Sequence, residues 1–150
     1  MNEQKITSII CVQNELPIIK LEEYRLTSHV KGYHEYKGIW KPEIGDVLKT
    51  KREPENKTDK FAVAVMKEKE KEIDLVIGHL KKGKSGKFAK LFSYFLKNEC
   101  SSCEVIIKGK PVNFGDGEGM QVPCELVITG YKLYLDILKK EVVKIGENTK

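Results

Sequence analysis

Long hydrophobic runs are missing from this chain. No apolar stretch approaches the ~20 residues that a membrane-spanning helix requires, so a helical membrane protein is excluded. The N-terminal residues, MNEQKITSIICVQNELP, hold neither an extended apolar segment nor a small-residue cleavage site. No secretory signal is read there. An intracellular protein is expected, with the nucleus as one candidate compartment. Cysteine and histidine are scarce. Cys11, Cys100, Cys103 and Cys124 are the four thiols, and reduced thiols are expected inside a cell. Cys100 and Cys103 form a CxxC pair, but no second pair completes the four ligands of a structural zinc site. No metal and no cofactor are assigned. The three histidines, His29, His34 and His79, belong to no recognisable nucleophile–base arrangement. No catalytic residue is assigned, and no enzyme is expected.

What is present is charge and short-period patterning. Charged residues make up 33% of the 150, and 27 Lys+Arg against 22 Asp+Glu leave a net charge of +5. That excess permits an anionic partner without demanding one. Two apolar stretches, at residues 6–12 and 16–21, fit strand or helix equally. From Leu26 onward the pattern is mostly β. Residues 29–33 alternate like a strand that ends near Gly38, residues 46–52 read as another, and 53–59 as a loop rich in Pro, Asn and Asp. FAVAVM at 61–66 and LVIGHL at 75–80 read as strands around a charged turn at 67–72. Phe88, Leu91, Phe92 and Phe95 have helical spacing, which places a helix at about 85–98 with Ser85 as its N-cap. Strands follow at 104–109 and 122–130 around a Gly-rich loop at 113–119. A last helix fits 131–143, with Tyr131, Tyr134, Leu135 and Leu138 on one face. Several strands, one helix and two more strands do not form βαβ alternation. The expected fold is mainly β: a small OB-like barrel of about six strands, one packed helix and a C-terminal helix. The expected divisions are an extension at 1–25, the barrel at 26–131, and a helix with a tail at 132–150.

Two motifs carry candidate chemistry. Gly78 to Ser85 satisfies GxxxxGK[ST], the spacing of a phosphate-cradling loop. Hairpins rather than crossovers surround it, and no apolar strand ending in Asp supplies a magnesium partner. Nucleotide binding at 78–85 is kept only as a remote alternative. The loop at 52–60 is the other. Asn56 and Asp59 can cap their own turn, or they can face a groove with His79 and Lys82 and offer donors and acceptors to a base or sugar. Tyr33, Tyr36 and Trp40 add aromatic faces on which bases stack, or they pack in the barrel.

The residues HVKGYHEY at 29–36, REPENKTDKFAVAV at 52–65, IGHLKK at 77–82 and VPCELVITG at 122–130 together resemble the HIRAN domain over roughly residues 27–131. The resemblance is greatest to stand-alone animal proteins of this type. It implies an OB-like barrel that binds DNA and, in fork-remodelling ATPases, captures the 3′ end of a single strand. It also implies a role in DNA repair. By position, Asp59 would take the 3′-hydroxyl, and Tyr36, Asn56, His79 and Lys82 would contact base or phosphate. His34 and Glu35 stand where the end-binders carry Arg and Tyr, and Met120 where they carry a stacking aromatic. Glu35 would repel phosphate, and Met120 covers a base less firmly than a ring. The expected site is therefore Tyr36, Asn56, Asp59, His79, Lys82, His34 and Met120, and the expected partner is single-stranded DNA or a DNA 3′ end. The alternative is a protein-interaction domain that kept the fold and lost the pocket.

Overall fold

A computed structural model describes residues 20–68 and 74–146. The apolar stretch at 6–12, most of that at 16–21, the centre of the charged turn and the last four residues lie outside them. The strands are β1 (Leu21–Lys31), β2 (Val47–Arg52), β3 (Val63–Glu68), β4 (Asp74–Leu80), β5 (Ser102–Ile107), β6 (Val112–Asn113) and β7 (Met120–Tyr131). The helices are α1 (Tyr33–Tyr36), α2 (Lys87–Phe95) and α3 (Lys132–Lys144). The sheet runs β1-β4-β3-β2-β5-β7, and β7 pairs back onto β1, so six antiparallel strands close a barrel. β6 adds a short seventh strand beside the start of β7.

Alternation explains the strands. In β7, Val122, Cys124, Leu126 and Ile128 point inward and are buried, as are Leu26 and Val30 of β1 and Val105 and Ile107 of β5. β3 is the exception: Val63, Ala64, Val65 and Met66 are all buried, so this strand is covered on both faces. Phe88, Phe92 and Phe95 of α2 and Leu135, Leu138 and Val142 of α3 enter the same core. The two helices therefore plug the barrel.

Three expectations change. The strand read to Gly38 stops at Lys31, because Gly32 takes a left-handed φ of 92° and turns the chain into α1. Ser85 does not cap α2. It sits at φ 56° in a 3₁₀ turn, and Gly86 occupies the cap position without a side-chain hydrogen bond. Trp40 is 2% exposed and belongs to the core, so it offers no open ring face. No helix among the described residues is long and apolar enough to cross a membrane.

The barrel closes through a narrow seam. β1 meets β4 only at Val30↔Leu80 and Lys31↔His79. A Cβ on Gly78 would lie 2.5 Å from Val30 Cγ1 and 2.7 Å from the Lys31 carbonyl oxygen. Gly78→Ala is therefore expected to destabilise the protein by about 1–3 kcal/mol. Gly38→Ala, where a Cβ meets nothing within 4 Å, is expected to stay within about 0.5 kcal/mol of the parent. Urea midpoints of the two variants test the pair; equal midpoints would mean that the seam is not tight.

Candidate nucleic-acid interface

The loop between β2 and β3 is fastened by its own side chains. Asn56 Oδ1 accepts from the backbone N–H groups of Thr58 (2.9 Å) and Asp59 (3.0 Å). Asn56 Nδ2 donates to Glu53 Oε1 at 3.1 Å. Asp59 Oδ1 accepts from Phe61 N at 2.9 Å. The Glu53 N–H donates to the Ala62 carbonyl, closing the base of the loop. These are Asx-type turns, and they consume the whole of Asn56 and half of the Asp59 carboxylate. The other half is turned differently: Asp59 Oδ2 lies 4.0 Å from Lys82 Nζ, whose side chain is 56% exposed.

Glu53 links this loop to the barrel. Its Oε1 also lies 2.9 Å from His79 Nε2, and both side chains are largely buried. The contact gives that imidazole nitrogen a proton to donate and fixes the ring. Tyr36 follows, its ring centroid 6.4 Å from that of His79. Burial, then the carboxylates of Glu35 and Glu53, push the Tyr36 phenol up, so it stays a neutral donor at physiological pH. Tyr36, Asn56, Asp59, His79 and Lys82 are thus brought together around Glu53. The sequence reading had passed over that residue. Its signal was a carboxylate three residues before Asn56, but its second partner depends on where β4 lies.

His34 and Met120 belong to a neighbouring cluster. Met120 opens β7 opposite Asn113 of β6. His34 is exposed on α1 and lies so close to Gly119 that a Cβ there would be 3.2 Å from its ring. Between the two clusters, Lys31 pairs with Glu118 at 2.6 Å.

The remaining motifs resolve into structure. Gly78, His79 and Leu80 are paired within β4 to β3 and β1, so this half of the GxxxxGKS span is sheet rather than a phosphate cradle. Cys103 and Cys124 are buried. Desolvation raises both thiols, Cys124 to about 12, which keeps them protonated. Among the described residues, no three of His, Cys, Asp and Glu cluster so as to hold a metal. An open groove of about 820 Å³ lies between β2, β5 and the end of α2, lined by residues including Thr50, Arg52, Leu96, Ser101 and Cys103. None of the five clustered residues lines it.

The family model of the HIRAN domain matches residues 24–129, well over half of the chain. The crystal structure of the HIRAN domain of human HLTF is similar, with a TM-score of 0.59 and 21% identity over 84% of this chain and 92% of that one. The NMR structure of the HLTF HIRAN domain gives 0.54 and 22% over 82% and 88%. At these identities the likeness is one of fold. No curated protein matches the chain.

The shared acceptor makes Glu53 testable. Glu53→Ala leaves Asn56 Nδ2 and His79 Nε2 without their partner, and a loss of about 1–3 kcal/mol is expected. Faster amide exchange at Thr58 and Asp59 should accompany it. Glu53→Gln keeps an acceptor oxygen and should restore most of the loss. An alanine variant with the parent's urea midpoint and exchange rates would show that Glu53 does not hold the loop.

Proposed function

The chain belongs to the HIRAN domain family, whose domains are nucleic-acid-binding modules, and on that premise we propose that it binds single-stranded DNA and receives a free 3′ end at Asp59. The observation that carries this reading is the divided carboxylate. Asp59 Oδ1 is spent in its loop, and Oδ2 is turned toward the ammonium of Lys82. An acceptor beside a cation matches a terminal sugar, whose hydroxyl donates and whose neighbouring phosphodiester is anionic. Tyr36 and His79 supply ring faces for the terminal base.

The surrounding charge supports the same end. Glu35, Glu53 and Asp59 would repel a dianionic 3′-phosphate more strongly than a neutral hydroxyl. Around them lies a rim of lysines: Lys60 and Lys90 lie over the Phe61 ring, and Lys97 over the half-exposed Tyr94. Such a rim attracts the backbone without reading sequence. The role is binding rather than catalysis.

Fluorescence anisotropy with 3′-hydroxyl and 3′-phosphate oligonucleotides tests the proposal. The hydroxyl end is expected to bind roughly tenfold more tightly, the worth of one charge-assisted hydrogen bond of ~1.5 kcal/mol. Asp59→Asn should erase the preference. Lys82→Ala should weaken both and reduce the log–log salt slope by about 0.7, one single-strand phosphate contact. Equal binding of both ends would remove end capture. Absent binding would remove the nucleic-acid reading and favour a protein-docking role, for which Ile39, Ile44 and Val47, each more than half exposed, are the available surface.

A further inference from the structure

Phe114 is the most exposed phenylalanine of the described residues whose ring is nonetheless held in place. It is 47% exposed, and it stacks on His29 with ring centroids 4.6 Å apart and planes inclined by 25°. The loop that presents it is built. Asn113 Oδ1 accepts from Gly115 N at 2.8 Å, and Asp116 Oδ1 from Glu118 N at 3.0 Å. Both Asp116 oxygens accept from Nε2 of Gln121, whose side chain is fully buried. The Gln121 hydrogen bond, foremost, holds the Asp116 carboxyl below the ordinary carboxylate range, so the tether persists at neutral pH. Gly115, Gly117 and Gly119 all take left-handed φ values. A loop of this composition fixed to the barrel floor costs ordering entropy, yet the ring it carries faces solvent rather than the core.

The platform is in line with the Asp59 site. Val30 of β1 is buried, so His29 and Lys31 project together from the outer face, about 7 Å apart along the strand. Lys31 is the register partner of His79 on β4. The outer face therefore reads, in order, the Tyr36–His79 rings, the Lys31 ammonium and the Phe114–His29 stack. Ring, cation, ring is the spacing pattern of base, phosphate, base. Lys31 is paired with Glu118, half of whose side chain is exposed. An exposed pair of that kind is worth little, and a phosphate can replace the carboxylate.

We propose that Phe114, backed by His29, is a second stacking platform, which takes an internal base of a single strand whose 3′ end lies at Asp59 while Lys31 takes the phosphate between. The proposal rests on the reading of Asp59 as the end site and extends it from one terminal nucleotide to a track. The test is a length series of 3′-hydroxyl oligonucleotides, from dinucleotide to decamer, with the full chain. The parent should gain affinity with length. Phe114→Ala should lose roughly tenfold on the decamer and leave the dinucleotide unchanged, since one base–aromatic stack is worth ~1–3 kcal/mol. Asp59→Asn should weaken every length. Glu118→Gln should strengthen the decamer modestly by releasing Lys31.

Phe114→Trp gives a direct signature. The chain's single tryptophan, Trp40, is buried, so the new indole dominates the solvent-sensitive emission. It should be quenched by the decamer and not by the dinucleotide. If the parent binds the decamer and Phe114→Ala binds it equally, or the indole is not quenched, the platform is overturned and the Asp59 site stands. If Asp59→Asn binds every length like the parent while Phe114→Ala is impaired, the end-site reading falls and the platform stands alone. If the parent binds no oligonucleotide, both fall.

Discussion

The seam at Gly78 is the constraint on which the rest of this structure depends. β1 pairs with β7 along most of its length and touches β4 only in its last two residues. There the backbones approach so closely that a methyl group at Gly78 would collide with Val30 and the Lys31 carbonyl. Closure at that point places His79 on the outer face next to Lys31. The same strand pairs with β3 at Ala64, and β3 is entered from the loop that carries Glu53. Barrel closure, not local sequence, is what brings Glu53 and His79 within hydrogen-bonding distance. Gly32 then turns the chain so that Tyr36 lies over this seam, its ring within van der Waals reach of the Gly32 Cβ direction.

These relations explain which parts of the molecule could be read from the residues. The strands at 63–68, 74–80 and 120–131 were legible because period-two burial or continuous apolarity marks them directly. The family was legible because the loop motif and the GHL strand occur in fixed order. The turn into α1 was not, because an alternating HVKGY continues a strand as naturally as it ends one, and only the left-handed Gly32 decides. Ser85 failed as a cap for a related reason: glycines on both sides absorb the turn, and the backbone does not need its hydroxyl. Glu53 was hidden because its importance lies in a contact between residues 26 positions apart. Trp40 read equally well as binding face or core, and the volume of an indole beside a small barrel settled it inward.

The charge arrangement of the site has two layers with different consequences. At the centre, Glu35, Glu53 and Asp59 gather carboxylates around Tyr36 and His79. Outside them, Lys60, Lys82, Lys90 and Lys97 project toward solvent. A lysine rim draws any polyanion and is screened by salt. A carboxylate centre rejects doubly charged ends and admits donors. Glu35, which looks adverse when only phosphate attraction is considered, is consistent with such a division: the rim attracts and the centre selects.

Both loops of the proposed track are fixed by the same device. Asn56 and Asp59 tie the first loop, Asn113 and Asp116 the second, each by side-chain oxygens that accept from backbone N–H groups one to three residues ahead. Each loop is then anchored to the barrel by one larger polar side chain, Glu53 through His79 and Gln121 through Asp116. Short polar side chains that close their own turns lower the conformational freedom left to lose on binding. The consequence is a surface on which Tyr36, Lys31 and Phe114 hold their relative positions before any ligand arrives, set by one strand pair. Sequence differences within the loops can then change which groups are presented without changing where they are presented, and this is how Met120 can lack a ring while Phe114, beyond the neighbouring Asn113, supplies one.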